Sequence, residues 1–385
     1  MVMTKKLITL LSAVVVALPV TFITVEANAN TQAPTVAILD TALDTSLPIF
    51  KDKIAYEVCV LELASCPNGQ KFMEGPGSTT LPFDIISKNG FDHGTQMASV
   101  AVATNPNIKI VFVRIIGNNP SGSRQPTGEN GVSLALKWVL DNKSRFNIQS
   151  VAMSQSNHAI LTTLTDYCPT TPTLRGLVSA LVSSGTPVFF PAGNVRDISR
   201  ISWPACINDS ISIGMADQYD QIDNYSNFDK DRLDFYALGN MQVAIPGGSV
   251  KNAAGTSIST QVAAATWAGI KNSNPSLTYQ QVLDMLNSAS KPIRGSKGQY
   301  GKLISSIPSV VAPSTPVVTP VAPVVTKPVV PVKTAEQLAA EAKAALTIEA
   351  NKAIAEAEAK YQAEVKIAAD KLAAIKLEWA KKING

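Results

Sequence analysis

Between Thr35 and Pro308, short apolar runs alternate with longer stretches whose apolar residues recur at helical spacing. Val36-Ala37-Ile38-Leu39 has no polar interruption, the pattern of a short strand buried on both faces. Ile108 to Ile116 repeats it, and further strands are predicted at Val151-Ala152-Met153, Pro187 to Phe190 and Ser210 to Met215. Gly131 to Leu140, Leu174 to Ser183, Ser257 to Ile270 and Tyr279 to Ser288 read as helices, the third rich in alanine. Asn274-Pro275-Ser276 interrupts the chain between the last two. Strands alternating with helices predict an α/β domain with a mainly parallel sheet, in three α/β/α layers.

The pattern then changes twice. Pro308 to Lys333 is almost entirely Pro, Val, Thr, Ser and Ala, which builds no packed core and predicts an extended spacer. Thr334 to Ile383 is rich in Ala, Glu and Lys and predicts a long helix, about 75 Å at ~1.5 Å per residue. Thr334 with Gln337 forms a capping box, and Glu356–Lys360 and Glu378–Lys382 have the supportive i,i+4 spacing. Tyr361, Ala368 and Ile375 alternate with Val365, Leu372 and Trp379 as a coiled-coil seam would. Asn351 and Glu358 are polar on the same seam, so a lone solvated helix stands beside self-association through residues 334–385.

The amino terminus predicts export. Lys5 and Lys6 precede the apolar run Leu7 to Val20, and Ala27-Asn28-Ala29 is a small-residue cleavage site that would leave Asn30 first. An uncleaved anchor is the alternative, opposed by Pro19 and by the placement of the Ala-x-Ala site. No other stretch approaches the ~20 apolar residues of a membrane span. The organisation read is therefore a signal peptide over 1–29, a catalytic-type domain over 30–307, a linker over 308–333 and a helix over 334–385.

Charge and cysteines narrow the partners. A net charge of +4 over 385 residues gives no basic footprint for nucleic acid. Cys59, Cys66, Cys168 and Cys206 all follow the export signal, an even count that predicts two disulfides. Of the three connectivities, Cys59–Cys66 with Cys168–Cys206 is favoured; four buried thiols is the alternative.

Chemistry gathers in four segments. Asp40-Thr41-Ala42 follows a strand, His93-Gly94-Thr95 precedes a small-residue helical run, Pro191-Ala192-Gly193-Asn194 follows a strand, and Gly255-Thr256-Ser257 opens a helix. A serine hydroxyl needs a neighbouring base to become a nucleophile at neutral pH, and histidine suits that task. With only His93 and His158 in the chain, the choice of base is narrow, and His158 lies in a polar loop that reads as solvated. Taken singly, Asp40 and Asn194 are ordinary turn formers and Ser257 an ordinary helix cap.

Together and in this order, over roughly Thr35 to Ile293, the motifs resemble those of the subtilisin-like serine proteases, the subtilases. The resemblance implies a subtilisin-like fold and an extracellular serine endopeptidase that needs no cofactor for its chemistry. It implies that Ser257 is the nucleophile, His93 the proton shuttle and Asp40 the group that orients it. Asn194 and the Ser257 N–H would hold the oxyanion. Protein or peptide substrates would lie extended against Ser154, Gln155 and Ser156 on one side and Ala192 and Gly193 on the other. Many subtilases bind structural calcium; Asp217, Asp220, Asp223, Asp229, Asp231 and Asp234 match no calcium-loop spacing and read as a solvated acidic loop.

The sequence departs from the family in four places. Ala42 replaces a glycine after the aspartate, Gln261 replaces a proline in the serine helix, and Ser154-Gln155-Ser156 stands for Ser-Leu-Gly. Few residues separate the cleavage site from the first catalytic strand, so no folding propeptide is evident. These changes make a degenerate binding or surface-assembly protein on the same fold the competing expectation.

Overall fold

The computed structural model describes residues 32–88, 90–119, 121–125, 127–159 and 168–304. The export segment, the linker and the C-terminal helix read above lie outside these residues. Strands β1 (Thr35–Asp40), β2 (Ile54–Val60) and β3 (Phe72–Glu74) come first, followed by helices α1 (Phe83–Ile86) and α2 (His93–Thr104). Then come β4 (Lys109–Arg114), the two-residue strands β5 (Gly117–Asn118) and β6 (Arg124–Gln125), α3 (Glu129–Asn142) and β7 (Ile148–Met153). Next are α4 (Pro172–Ser183), β8 (Val188–Pro191), β9 (Ile211–Ala216), β10 (Phe235–Leu238), β11 (Asn240–Ala244) and β12 (Val250–Ala254). Helices α5 (Thr256–Ser273) and α6 (Tyr279–Ala289) precede the closing strands β13 (Lys291–Arg294) and β14 (Tyr300–Ile304).

Ten strands form one sheet in the order β13-β14-β10-β9-β8-β7-β1-β4-β2-β3. It is parallel from β14 through β2, and only the outermost pair at each edge is antiparallel. The unbroken apolar runs are explained by burial on both faces. Ala37 and Leu39 of β1 point into one core with Val111, Val113, Val151 and Phe190, under Val132 and Leu136 of α3 and Leu174 and Val178 of α4. Val36 and Ile38 point into the other core with Ile110, Phe112 and Phe189, against α2, α5 and α6. These are the three layers expected.

Helix α5 is buried on nearly every side, and its alanines let it lie close to the sheet. Ala263, Ala264 and Ala268 pack in the second core beside Trp267, all fully buried. Two serines tie this helix to the sheet: Ser150 Oγ donates to the Ala264 carbonyl and Ser259 Oγ to the Ala237 carbonyl, each at 2.9 Å. This fixes the start of α5, and with it Ser257, relative to the strand ends.

Several strands carry no apolar run that announces them. β2 holds Glu57, which is buried because its Oε2 accepts from Thr79 Oγ1 at 2.6 Å and from the Gly77 N–H at 3.2 Å. The β11–β12 hairpin is largely exposed and is held by its antiparallel ladder. Both favoured disulfides are formed, Cys59–Cys66 and Cys168–Cys206, and no described cysteine is free. Among the described residues no helix is long and apolar enough to cross a membrane.

Candidate active site

From β1 the chain passes to strands on one side, β4 and β2, and later to β7, β8 and β9 on the other. Such a reversal opens a crevice at the carboxyl ends of the strands. Asp40 ends β1, Ser154-Gln155-Ser156 follows β7, and Ala192-Gly193-Asn194 follows β8, so all three segments meet at that crevice.

Asp40 is fully buried and Oδ1 does its work. It accepts from His93 Nδ1 at 2.8 Å, from the Thr41 N–H at 2.7 Å and from Gln155 Nε2 at 3.1 Å. His93 opens α2 and keeps a quarter of its side chain exposed, while Nδ1 is held by the carboxylate. With Nδ1 protonated for Asp40, Nε2 carries the lone pair a base needs.

Thr41 fixes the distance between the two elements. Its hydroxyl donates to the Phe91 carbonyl and accepts from the Gly94 N–H, both at 2.8 Å, which clamps the end of β1 to the start of α2. The clamp requires glycine at 94: a Cβ there would overlap the Ala42 carbonyl oxygen and come within 2.7 Å of Phe112. Ala42, the first departure from the family pattern, is itself fully buried in the core under the sheet. Its methyl packs in that core.

Ser257 is the second residue of α5, whose N-cap is Gly255 rather than the serine. Asn194 supplies the cap from across the crevice: Oδ1 accepts from the Thr256 N–H at 2.9 Å and from Thr256 Oγ1 at 3.1 Å. Because the Thr256 N–H can only donate, the Asn194 oxygen must face it, and Nδ2 is left turned away as a donor. The helix start adds positive potential at the same place.

Ser257 Oγ donates to the Ser154 carbonyl at 3.1 Å, and among the described residues no hydrogen bond joins it to His93. Ser154 replies through its own hydroxyl, which donates to the Ser257 carbonyl at 3.0 Å and accepts from Gln261 Nε2 at 2.9 Å. Gln261 is fully buried in α5, so the second departure puts an amide, not a ring, behind Ser154. The sequence places Gln155 at the site as a substrate contact and marks Gln261 only as a departure; no local signal announces the bonds each makes there, because their partners are distant in sequence.

The expected substrate-contact residues divide. Ser156 is exposed, and Ser154 and Gln155 line the crevice. Ala192 and Gly193 instead spend their backbone groups on structure. The Ala192 N–H donates to the Ile213 carbonyl and its carbonyl accepts from the Ser202 N–H, while the Gly193 N–H donates to Thr256 Oγ1 at 3.3 Å. A side chain at Gly193, whose φ is +106°, would collide with Ser202 Oγ and Asn227.

His158 is not the solvated loop residue expected. Its Nε2 lies 3.2 Å from Asp197 Oδ2, and Nδ1 lies 3.3 Å from Ser202 Oγ, under the turn that carries Asn194. Burial pushes the Asp197 carboxyl up, but hydrogen bonds from Ser199 and the charge of Arg200 outweigh it and hold the group below the usual carboxylate range. The six aspartates divide: Asp229 is buried, Asp217, Asp220 and Asp223 are half-buried, and Asp231 and Asp234 are exposed as expected. Asp234 is an exposed residue whose Oδ2 accepts from the Ser212 N–H and Oγ, each at 2.8 Å; desolvation of that carboxyl raises it despite these bonds. Asp217 and Asp223 close their own turns and Asp220 pairs with Lys291. Among the described residues no group of three or more acidic, histidine or cysteine side chains could hold a metal ion.

The model of the subtilase family matches residues 31–303. Curated relatives include alkaline elastase YaB from Bacillus sp. (strain YaB), 25% identical over 235 residues, spanning 58% of this chain and 56% of that protein. The chain thus spans little more than half the length of that relative. Subtilisin from Bacillus pumilus is 26% identical over 281 residues, covering 69% of this chain and 86% of its own. Among solved structures, a cold adapted subtilisin-like serine proteinase aligns with TM-score 0.53 at 22% identity, over 73% of this chain and 91% of its own. The protease domain of PatA aligns with TM-score 0.55 at 18% identity, over 69% of this chain and 90% of its own. The parallel sheet, the four motifs at its carboxyl edge and the family match over most of the chain agree: this protein belongs to the subtilase family.

Proposed function

We propose that the chain is a secreted serine endopeptidase that hydrolyses peptide bonds in extracellular proteins or peptides. The observation that carries this reading is the 2.8 Å bond from His93 to buried Asp40, made in the crevice where α5 begins. Asp40 holds the tautomer in which Nε2 is the base. As substrate enters, the Ser257 hydroxyl turns from the Ser154 carbonyl to Nε2. Its oxygen then bonds to the scissile carbonyl carbon while its proton passes to His93. Asn194 Nδ2 and the Ser257 N–H stabilise the oxyanion that forms. His93 then returns the proton to the leaving amine, and water releases the acyl group by the same steps in reverse order. Extracellular residence is supported by the two disulfides, which persist in oxidising compartments.

A second reading has its own observation: the Ser257 hydroxyl is engaged by Ser154 rather than by His93. A pseudoenzyme of this fold would keep that bond and bind partners without cutting them, with residues 334–385 serving assembly. Incubation of the full chain with an unfolded protein substrate, beside a Ser257→Ala control, separates the two. Cleavage lost on substitution supports the peptidase. Absence of cleavage by the unsubstituted chain rejects it.

A further inference from the structure

We propose that Gln155 is a positioning residue of the Asp40–His93 pair, tying the carboxylate to the Arg124 guanidinium and limiting how strongly Asp40 holds the imidazole. The proposal rests on the reading of Asp40 and His93 as catalytic. Gln155 occupies the middle of the segment where the family pattern has leucine, a residue that could make none of these bonds.

The orientation of the amide is fixed by its neighbours. Arg124 in β6 donates to Gln155 Oε1 at 2.6 Å, and a guanidinium can only donate, so the oxygen must face it. The amide nitrogen is thereby turned to Asp40 Oδ1 at 3.1 Å, and an ionised carboxylate can only accept. The result is a directed chain from cation through amide to carboxylate. Gln155 Nε2 also lies 3.2 Å from His93 Nδ1, because both nitrogens converge on one oxygen. Asp40 Oδ2 is buried and takes no hydrogen bond from the described residues, among which the three donors compete on Oδ1 alone.

Competition has a sign. Each extra donor draws charge from Oδ1 and weakens its hold on a protonated imidazole. Arg124 polarises the Gln155 amide in the direction that strengthens the competitor. The other charges around His93 are already paired or turned elsewhere. Asp92, next in sequence, is bonded to Lys251 at 2.9 Å, and Arg114, beside Asp40 on β4, donates to Asn118 and the Ile116 carbonyl. Gln155 with Arg124 is therefore the adjustable part of the pair's surroundings.

With only two histidines in the chain, ring-labelled protein gives two titrating signals, and a His158→Gln variant assigns them. The experiment follows the Nδ1 proton and ring titration of His93 in the full chain, in Gln155→Met, in Arg124→Met and in the double variant. In Gln155→Met the Nδ1 proton should move downfield and the His93 titration to higher pH, with the His158 signal unmoved. Arg124→Met should move both in the same direction by less, and the double variant should match Gln155→Met alone, since Arg124 acts through the amide. In a peptide-ester assay, Gln155→Met should lower kcat about fivefold, the scale of one ~1 kcal/mol hydrogen bond, with KM within about twofold and the acid limb displaced to higher pH. His93 signals unchanged in folded Gln155→Met or in Arg124→Met overturn the proposal. His93 signals that move in a chain that cleaves nothing sustain it and reject the peptidase reading instead. Arg124 is exposed, so its variant keeps the test valid if Gln155→Met fails to fold.

Discussion

Replacing Thr41 by Val tests the clamp between β1 and α2 at constant shape. Valine keeps the volume and loses the hydroxyl, which at this fully buried position donates to the Phe91 carbonyl and accepts from the Gly94 N–H, both at 2.8 Å. Both backbone groups would then be buried without that partner. At about 1–3 kcal/mol for each unsatisfied group, the change should cost roughly 2–6 kcal/mol. For a domain of this size, at roughly 2 °C per kcal/mol, that corresponds to a melting temperature lower by about 4–12 °C. The measurement is best made in a Ser257→Ala background, where self-cleavage cannot distort the melt. Thr41→Ser keeps the hydroxyl and should lose much less. A Thr41→Val protein melting within about 2 °C of its parent would refute the clamp. A normal melt, together with normal turnover of Thr41→Val in the chain that keeps Ser257, would also deny it any part in placing His93.

Three further outcomes follow from the same geometry. Removing Cys168–Cys206, which closes a 38-residue separation, should destabilise more than removing Cys59–Cys66, which closes 7; loop-closure entropy gives ~4 against ~2.5 kcal/mol, measurable by denaturant titration. Asp197→Asn should lower stability at neutral pH: a carboxyl held below its unfolded value of ~3.9 stabilises the fold above that pH and loses the contribution as pH falls through its folded value. The gap between the two proteins should therefore close toward pH 3, and a gap constant with pH would contradict the assignment. Asn194→Ala should lower kcat by ~10²–10³ with a much smaller change in KM, the scale known for such a donor in subtilisin itself, because the missing bond forms mainly in the transition state. Equal losses in binding and turnover would remove Asn194 from the oxyanion site.

The layers of the fold were legible because β1, β4, β7, β8 and β9 are buried on both faces and so read as continuous apolar runs. The edge and hairpin strands were not, since β12 and β13 are mostly exposed and carry no apolar run, although each pairs with a strand close by in the chain. The motif residues could be named because each sits at an element boundary with its own local signature. What joins them could not: the Gln155–Asp40 bond spans 115 residues and the Gln261–Ser154 bond 107. His158 was misread for the same reason, its partners Asp197 and Ser202 being supplied by a remote turn.

The central claim is that Ser257 is a nucleophile activated by His93 and not a hydroxyl retained by Ser154. A fluorophosphonate probe reports this directly, since it reacts with an activated serine and leaves a stable adduct that peptide mapping locates. The full chain should be labelled at Ser257, with labelling abolished in His93→Ala and in Ser257→Ala proteins that still melt cooperatively. No adduct on the folded, unsubstituted chain, or an adduct at another residue, would contradict the account.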